Sequence, residues 1–153
     1  PLSRMEELGC EIGNHSFDHA DLATLSAEDV TSQLSRTDEE IQNLVGHSAT
    51  VVRPPYGSFN DTVAGIAARP LIMWSVDTLD WETQNADSTV QNVMDNAQDG
   101  AIILMHDIFK ESVDAAEVFI PQLIQEGYQL VTVSELAAAK GITLEAGTSY
   151  GAF

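Results

Sequence analysis

The chain has 153 residues, 44% of them hydrophobic and 20% charged, and its 6 basic and 24 acidic side chains give a formal net charge of −18. This length fits one domain able to bury a core, and the composition excludes disordered and collagen-like chains. So acidic a surface excludes nucleic acid and anionic lipid as natural partners; no apolar run approaches the ~20 residues that cross a bilayer, so no membrane insertion is expected; and the single cysteine, Cys10, excludes a disulfide framework.

Residues 2–8 read as the end of a helix stopped by Gly9. The chain starts with Pro1, lacks an export signal and enters this helix without a capping residue, so it is read as a fragment of a longer domain. Residues 10–13 form a short apolar strand running into Asn14 and His15. Ser26 then caps a long amphipathic helix, with Asp29 at the capping-box position and Val30, Leu34, Ile41 and Leu44 on its apolar face. Residues 50–53 are a β-branched strand closed by Pro54 and Pro55. Asn60 or Asp61 opens a helix through Val63 and Ile66 to Arg69, where Pro70 stops it. Residues 71–76 are the next strand, ending in the acidic stretch 77–80.

Asp87 and Ser88 open a further helix with Val90, Val93 and Met94 facing inward and Gly100 beyond its end. Residues 101–105 are almost wholly apolar, as expected of a strand buried on both faces. Residues 111–126 are helical with a Gly127 stop, and Pro121 predicts a kink or a break. Residues 129–133 read as a last strand, Ser134 caps a last helix to Lys140, and the small-residue tail after Gly141 is expected to be loose. The domain thus covers residues 1–141 and the tail 142–153. Strand and helix alternate five times with short connections, which predicts parallel strands joined by right-handed crossovers, with too few units to close an eight-stranded barrel.

In parallel α/β folds, ligands bind at the carboxyl ends of the strands. Those ends carry His15 and His19, then Arg53 and Tyr56, then Asp77, Asp80 and Trp81, then His106 and Asp107. Only His47 among the histidines lies elsewhere, in a turn, where a solvated role is natural. His15 and His19 have the i, i+4 spacing that can bring two imidazoles to one metal, although two hydrogen-bonded surface histidines would look the same. Arg53-Pro54-Pro55-Tyr56-Gly57 is either a rigid turn or a device that pairs Arg53 with a carboxylate and aims the Tyr56 N–H at an oxyanion. Each pair of polar residues has a plain structural reading; their joint placement at successive strand ends does not.

Taken in order, His15-Ser16-Phe17-Asp18-His19, Arg53-Pro54-Pro55-Tyr56, Asp77-Thr78-Leu79-Asp80-Trp81 and Leu104-Met105-His106-Asp107 resemble four motifs of the polysaccharide deacetylase family, the NodB-homology domains of carbohydrate esterase family four. Glu11-Ile12-Gly13-Asn14 and Ala20-Asp21-Leu22 fit the surroundings of the first of these, and the likeness runs from about residue 5 to residue 140. It implies a distorted (β/α) barrel with fewer than eight strands, its N-terminal strand or strands missing from this chain. It implies a divalent metal, most often zinc, on His15 and His19, and hydrolytic removal of acetyl groups from a glycan. By the same resemblance the Tyr56 N–H shares the oxyanion, His106 is the general acid, Asp80 holds it, Arg53 orients the base, and Trp81 and Leu104 line the acetyl pocket.

The family's first motif, Thr-Phe-Asp-Asp, supplies the catalytic base and the third metal ligand, and no such motif stands in the sequence. Three readings follow. The missing segment of the domain is supplied as a separate or cleaved chain and completes an enzyme; the chain is a glycan-binding pseudoenzyme; or it is a structural α/β domain. The retained acid, its aspartate and the base-orienting arginine favour the first. Peptidoglycan is the expected substrate, ahead of chitin oligomers and acetylxylan, and the protein is expected outside the cell or on its wall.

Overall fold

The structure, a computed structural model, describes residues 1–153 and divides them into two compact units. The first comprises Pro1–Met73 with Thr132–Tyr150, the second Trp74–Val131 with Gly151–Phe153.

In the first unit the order is α1 (Leu2–Glu7), β1 (Gly13–Asn14), α2 (Ala27–Val45), β2 (Val51–Val52), α3 (Asp61–Ala67) and β3 (Leu71–Ile72). The long helix α2 follows from its ends and its face. Ser26 Oγ accepts the Asp29 N–H at 3.1 Å and donates to its carboxylate at 2.7 Å, and Gly46 stops the helix at φ 86°. Val30, Leu34 and Ile41 are buried as the periodicity predicts, but Leu44, the last of the expected face, is 56% exposed. Leu22, Val30, Leu34, Val52, Val63, Ala67 and Leu71 make one core between α2, α3 and the sheet. Asn60, rather than Asp61, caps α3 by accepting the Val63 N–H. The helix ends at Ala67, because Ala68 turns left-handed at φ 47°, so Arg69 lies outside it.

The expected strand 71–76 is two strands. Leu71–Ile72 pairs in parallel with β2, whereas the N–H groups of Ser75 and Val76 both turn to the Ile102 carbonyl, at 3.0 and 3.1 Å. One apolar run therefore changes partners midway, beginning β4 (Val76–Asp77), which pairs in parallel with β5 (Ile103–Leu104) in the second unit. That unit also holds α4 (Asp80–Thr83), α5 (Ala86–Asn96) and α6 (Lys110–Gln125). Asn85, not Asp87 or Ser88, caps α5 by accepting the Ser88 N–H. The helix α6 runs through Pro121 without a break, giving up only the hydrogen bond that a proline cannot donate. Val93 from α5 packs with Ala115, Phe119 and Leu123 from α6. Residues 101–105 alternate between buried and half-buried, so β5 is covered more completely on one face than on the other.

The C-terminal stretch departs furthest from expectation. Residues 129–133 join no sheet despite their β-branched pattern, and Leu130 and Val131 are about half exposed. Thr132, not Ser134, caps α7 (Val133–Ala139) in a capping box with Glu135, while Ser134 donates its N–H and hydroxyl to Glu11. The tail is not loose. Ser149–Tyr150 forms β6, parallel to β3, giving the first unit the strand order β1-β2-β3-β6. Ala152 then bridges Ala101, and Gly100 passes so close to Phe153 that a Cβ there would stand 1.9 Å from its carbonyl oxygen.

Gly100→Ala should therefore displace the last residues and cost more than Gly127→Ala, where φ is also positive but the space is open. Urea unfolding should show a loss of about 1–2 kcal/mol for Gly127→Ala, from backbone strain alone, and a larger one for Gly100→Ala. Equal losses would mean that the tail is not docked at Gly100.

Candidate active site

The first unit gathers His15, His19, Arg53 and Tyr56. His15 follows β1 directly, and its Nδ1 lies 2.5 Å from the Arg53 carbonyl oxygen. A carbonyl only accepts, so Nδ1 carries a proton, and in the neutral ring Nε2 is then the lone-pair nitrogen, the tautomer a metal ligand needs. The His15 and His19 rings meet edge to face at 4.9 Å between centroids, and His19 meets the Tyr56 ring the same way at 4.8 Å. The loop that brings them together is strained, with Ser16 at φ 63° and His19 at φ 56°.

Side chains of α2 and β1 hold this loop. Gln33 accepts the N–H groups of Phe17 and Asp18 on Oε1 and donates to the Asp18 carboxylate. Arg36 lies 3.6 Å over the Phe17 ring. Asn14, fully buried, accepts the Ser16 N–H at 3.0 Å.

Arg53 continues β2 and donates its own N–H to the Asn14 carbonyl. Its guanidinium donates to the carbonyls of Ile72 and Met73 at 3.1 and 3.3 Å, and no ion pair involves it. The expected carboxylate partner is thus not among these residues. Burial pushes the Arg53 pKa down from its ordinary value, yet a guanidinium stays charged. Pro54 and Pro55 are buried and Tyr56 sits at φ 59°, in a turn whose own hydrogen bonds use the Gly57 and Ser58 N–H groups rather than that of Tyr56.

The second unit carries Asp80, Trp81, Leu104 and His106. Asp80 opens α4 and is 1% exposed. Its Oδ1 accepts from His106 Nδ1 at 2.8 Å and from the Trp81 N–H at 2.9 Å, and its Oδ2 from the His106 N–H and Ser112 Oγ, both at 2.7 Å. Burial opposes the charge, but the bonds from Ser112 and His106 outweigh it and hold the carboxyl below its ordinary value. His106 Nδ1 must donate to this carboxylate, so Nε2 is the nitrogen left to exchange a proton with a substrate. Thr78 Oγ1 donates to the Leu104 carbonyl at 2.8 Å, and Leu79 stands at φ 56°, its N–H held by Asp77. Trp81 is half exposed beside this network, and Leu104 is buried.

All the sequence-predicted residues therefore fall in two clusters, one in each unit. Sequence reasoning missed Ser112 and Gln33, and took Asn14 only as the lead-in to a motif. Nothing in their local sequence marks them, because each acts through a partner far along the chain.

Two neutral imidazoles fit zinc, cobalt or nickel. The buried Ser16 Oγ, without a hydrogen-bond partner, lies between them in the chain. No third His, Cys, Asp or Glu joins them to complete a metal-binding group among residues 1–153.

Parallel strands with polar motifs at their carboxyl ends put the chain in the distorted (β/α)-barrel class of the NodB type. A family model described as polysaccharide deacetylase matches residues 1–70. A peptidoglycan-N-acetylmuramic acid deacetylase, PdaC, of Bacillus subtilis is 42% identical over 91% of this chain and 30% of its own length. A peptidoglycan-N-acetylglucosamine deacetylase, PgdA, of Listeria monocytogenes is 38% identical over 97% of this chain and 31% of its own. The chain thus spans less than a third of these relatives. Among solved structures, the T48 deacetylase with substrate superposes with a TM-score of 0.93 at 39% identity, covering 97% of this chain and 74% of that one. A family 4 acetyl xylan esterase from Clostridium thermocellum with a cobalt ion gives 0.92 at 28% identity over 99% and 76%. A CE4 family pseudoenzyme from Bacillus anthracis gives 0.81 at 34% over 88% and 49%. The chain belongs to the polysaccharide deacetylase family, carbohydrate esterase family four.

Because the folded Asp80 carboxyl is held below its ordinary value, its ionisation stabilises the native state at every pH above the unfolded value near 3.9. That contribution is lost as the pH falls through the lower folded value. Unfolding free energies followed from neutral to acid pH should decline less steeply for Asp80→Asn than for the unaltered protein, with Asp80→Asn the less stable at neutrality. Parallel curves would show that Asp80 does not carry this acid limb.

Proposed function

We propose that the protein hydrolyses the N-acetyl group of amino sugars in peptidoglycan, with a divalent metal, zinc in the first instance, held by His15 and His19. The observation that carries the reading is His106, fixed through Nδ1 by a buried, ionised aspartate so that Nε2 faces the chemistry. In amide hydrolysis water adds to the acetyl carbon, the C–N bond breaks, and the departing amine nitrogen needs a proton. His106 Nε2 gives that proton, and Asp80 steadies the ring while it is charged. The Tyr56 N–H donates to the acetyl oxygen as negative charge develops there. Trp81 and Leu104 pack on the acetyl methyl. When bound, the metal supplies Lewis-acid polarisation of the carbonyl.

The base that takes the proton from water, and the third metal ligand, come in this reading from an N-terminal segment of the domain that is not among residues 1–153, whether or not it is a separate chain. Arg53 supports this, being a half-buried cation with no carboxylate partner among these residues. The strand β1, an edge strand paired only with β2, has room for another. The names of the relatives support peptidoglycan as the substrate, with chitin oligomers and acetylxylan behind it, and a glycan of that kind would be met outside the cell or on its wall. A pseudoenzyme among the relatives favours a second reading: a glycan-binding protein that releases no acetate.

Acetate release from purified peptidoglycan by the full-length protein decides between the two. Release should require added divalent metal and stop with a chelator. His106→Ala should lower it by about a hundredfold or more while leaving bound metal in place. Retained binding to the glycan with no acetate from the unaltered, metal-loaded protein would establish the second reading.

A further inference from the structure

We propose that Asp38, clamped by Arg69, is a positioning residue for the two-histidine loop and acts on it through the Asn14 amide. The inference rests on the reading of His15 and His19 as metal ligands. Arg69 Nη1 and Nη2 bind the two Asp38 oxygens at 2.7 and 2.8 Å, a bidentate pair only about one-fifth exposed. Arg69 is itself fixed by the carbonyls of Ala49 and Ala67, at 3.0 and 3.1 Å. The Asp38 carboxylate therefore has one orientation, and its Oδ1 also accepts from Asn14 Nδ2 at 3.0 Å.

The amide of Asn14 is nearly symmetric in shape, so its neighbours alone decide which end is oxygen. Its Nδ2 faces two pure acceptors, Asp38 Oδ1 and the Leu34 carbonyl at 2.9 Å, which forces Oδ1 toward the loop, where it takes the Ser16 N–H. A reversed amide would set oxygen against a carboxylate and a carbonyl and set two donors against each other at Ser16. Ser16 is left-handed at φ 63°, a conformation that costs about 1–2 kcal/mol. A loop without the Asn14 bond is free to relax from it and to part the rings of His15 and His19. The Asn14 carbonyl meanwhile takes the Arg53 N–H, and Arg53 in turn accepts from His15. One residue, through its side-chain amide and its backbone carbonyl, thus meets both sides of the first ligand, and the amide links it to a charge on α2 that touches neither histidine.

The test is titration of the full-length protein with Co(II), following affinity and the visible absorption of the bound ion, for Asn14→Leu, Asp38→Leu and a control, Val30→Ala, which opens the core of α2 without touching the amide. The two network variants should bind cobalt about tenfold more weakly or worse, with an altered spectrum. Val30→Ala should lower the Tm comparably yet keep the affinity and the spectrum. Exchange of the Ser16 amide proton, read without metal, should quicken in the network variants only. Unchanged cobalt binding in the network variants, or a loss that tracks Tm equally in Val30→Ala, overturns the inference while leaving the metal reading intact. No cobalt binding by the unaltered protein overturns both.

Discussion

A carboxylate that is 1% exposed and ionised is tolerable only when its lone pairs are filled, and Asp80 meets that demand with four donors. The donors come from the first turn of α4, from His106 two residues past the end of β5, and from the first turn of α6. The group that orients His106 is therefore also the polar joint of three elements. Removing any one donor leaves part of a buried charge uncompensated, so chemistry and folding constrain the same atoms. Ser112 illustrates this: it touches nothing catalytic, yet without its hydroxyl one Asp80 oxygen would keep a single partner.

The same economy governs the backbone. Six residues other than glycine have positive φ, and four of them, Ser16, His19, Tyr56 and Leu79, stand in the loops that carry the motifs. Such conformations persist only where the surroundings over-determine them. Asn14 and Gln33 hold the first loop by its N–H groups, two buried prolines hold the second, and the Asp77 side chain holds the third. Strain and its restraint are thus paired at each motif, and each restraint is a side chain or ring outside the group that does the chemistry.

This division explains what could be read from the sequence. The residues that carry the motifs are fixed in type and sit next to strand ends, so His15, His19, Arg53, Asp80 and His106 stand out. Groups that act through another side chain need only one acceptor or donor at the right place in space, which many residues on α2 or α6 could supply; Asp38 and Ser112 look like ordinary surface polarity on a helix. The long helix α2 was legible from its Ser26 cap and its periodicity, whereas the cap of α5 fell at Asn85 rather than at Asp87 or Ser88. The strands were less so, since each is two residues long and depends on which backbone lies alongside. The apolar run from Leu71 to Val76 hides a change of partner, residues 129–133 have the side chains of a strand and no ladder, and β6 forms from Ser149 and Tyr150 through main-chain bonds that no side-chain pattern announces.

The two histidines that matter most are pinned by the same atom and differ in what pins them. His15 gives its Nδ1–H to a neutral carbonyl, that of Arg53; His106 gives its own to a carboxylate. A carbonyl fixes the tautomer and favours a charged ring less than a carboxylate does, which suits an imidazole that must offer a lone pair to a cation. A carboxylate fixes the same tautomer and also steadies positive charge on the ring, which suits an imidazole that must arrive protonated and leave neutral. The partners of the two rings thus fit the roles proposed for them, ligand in the first unit and acid in the second.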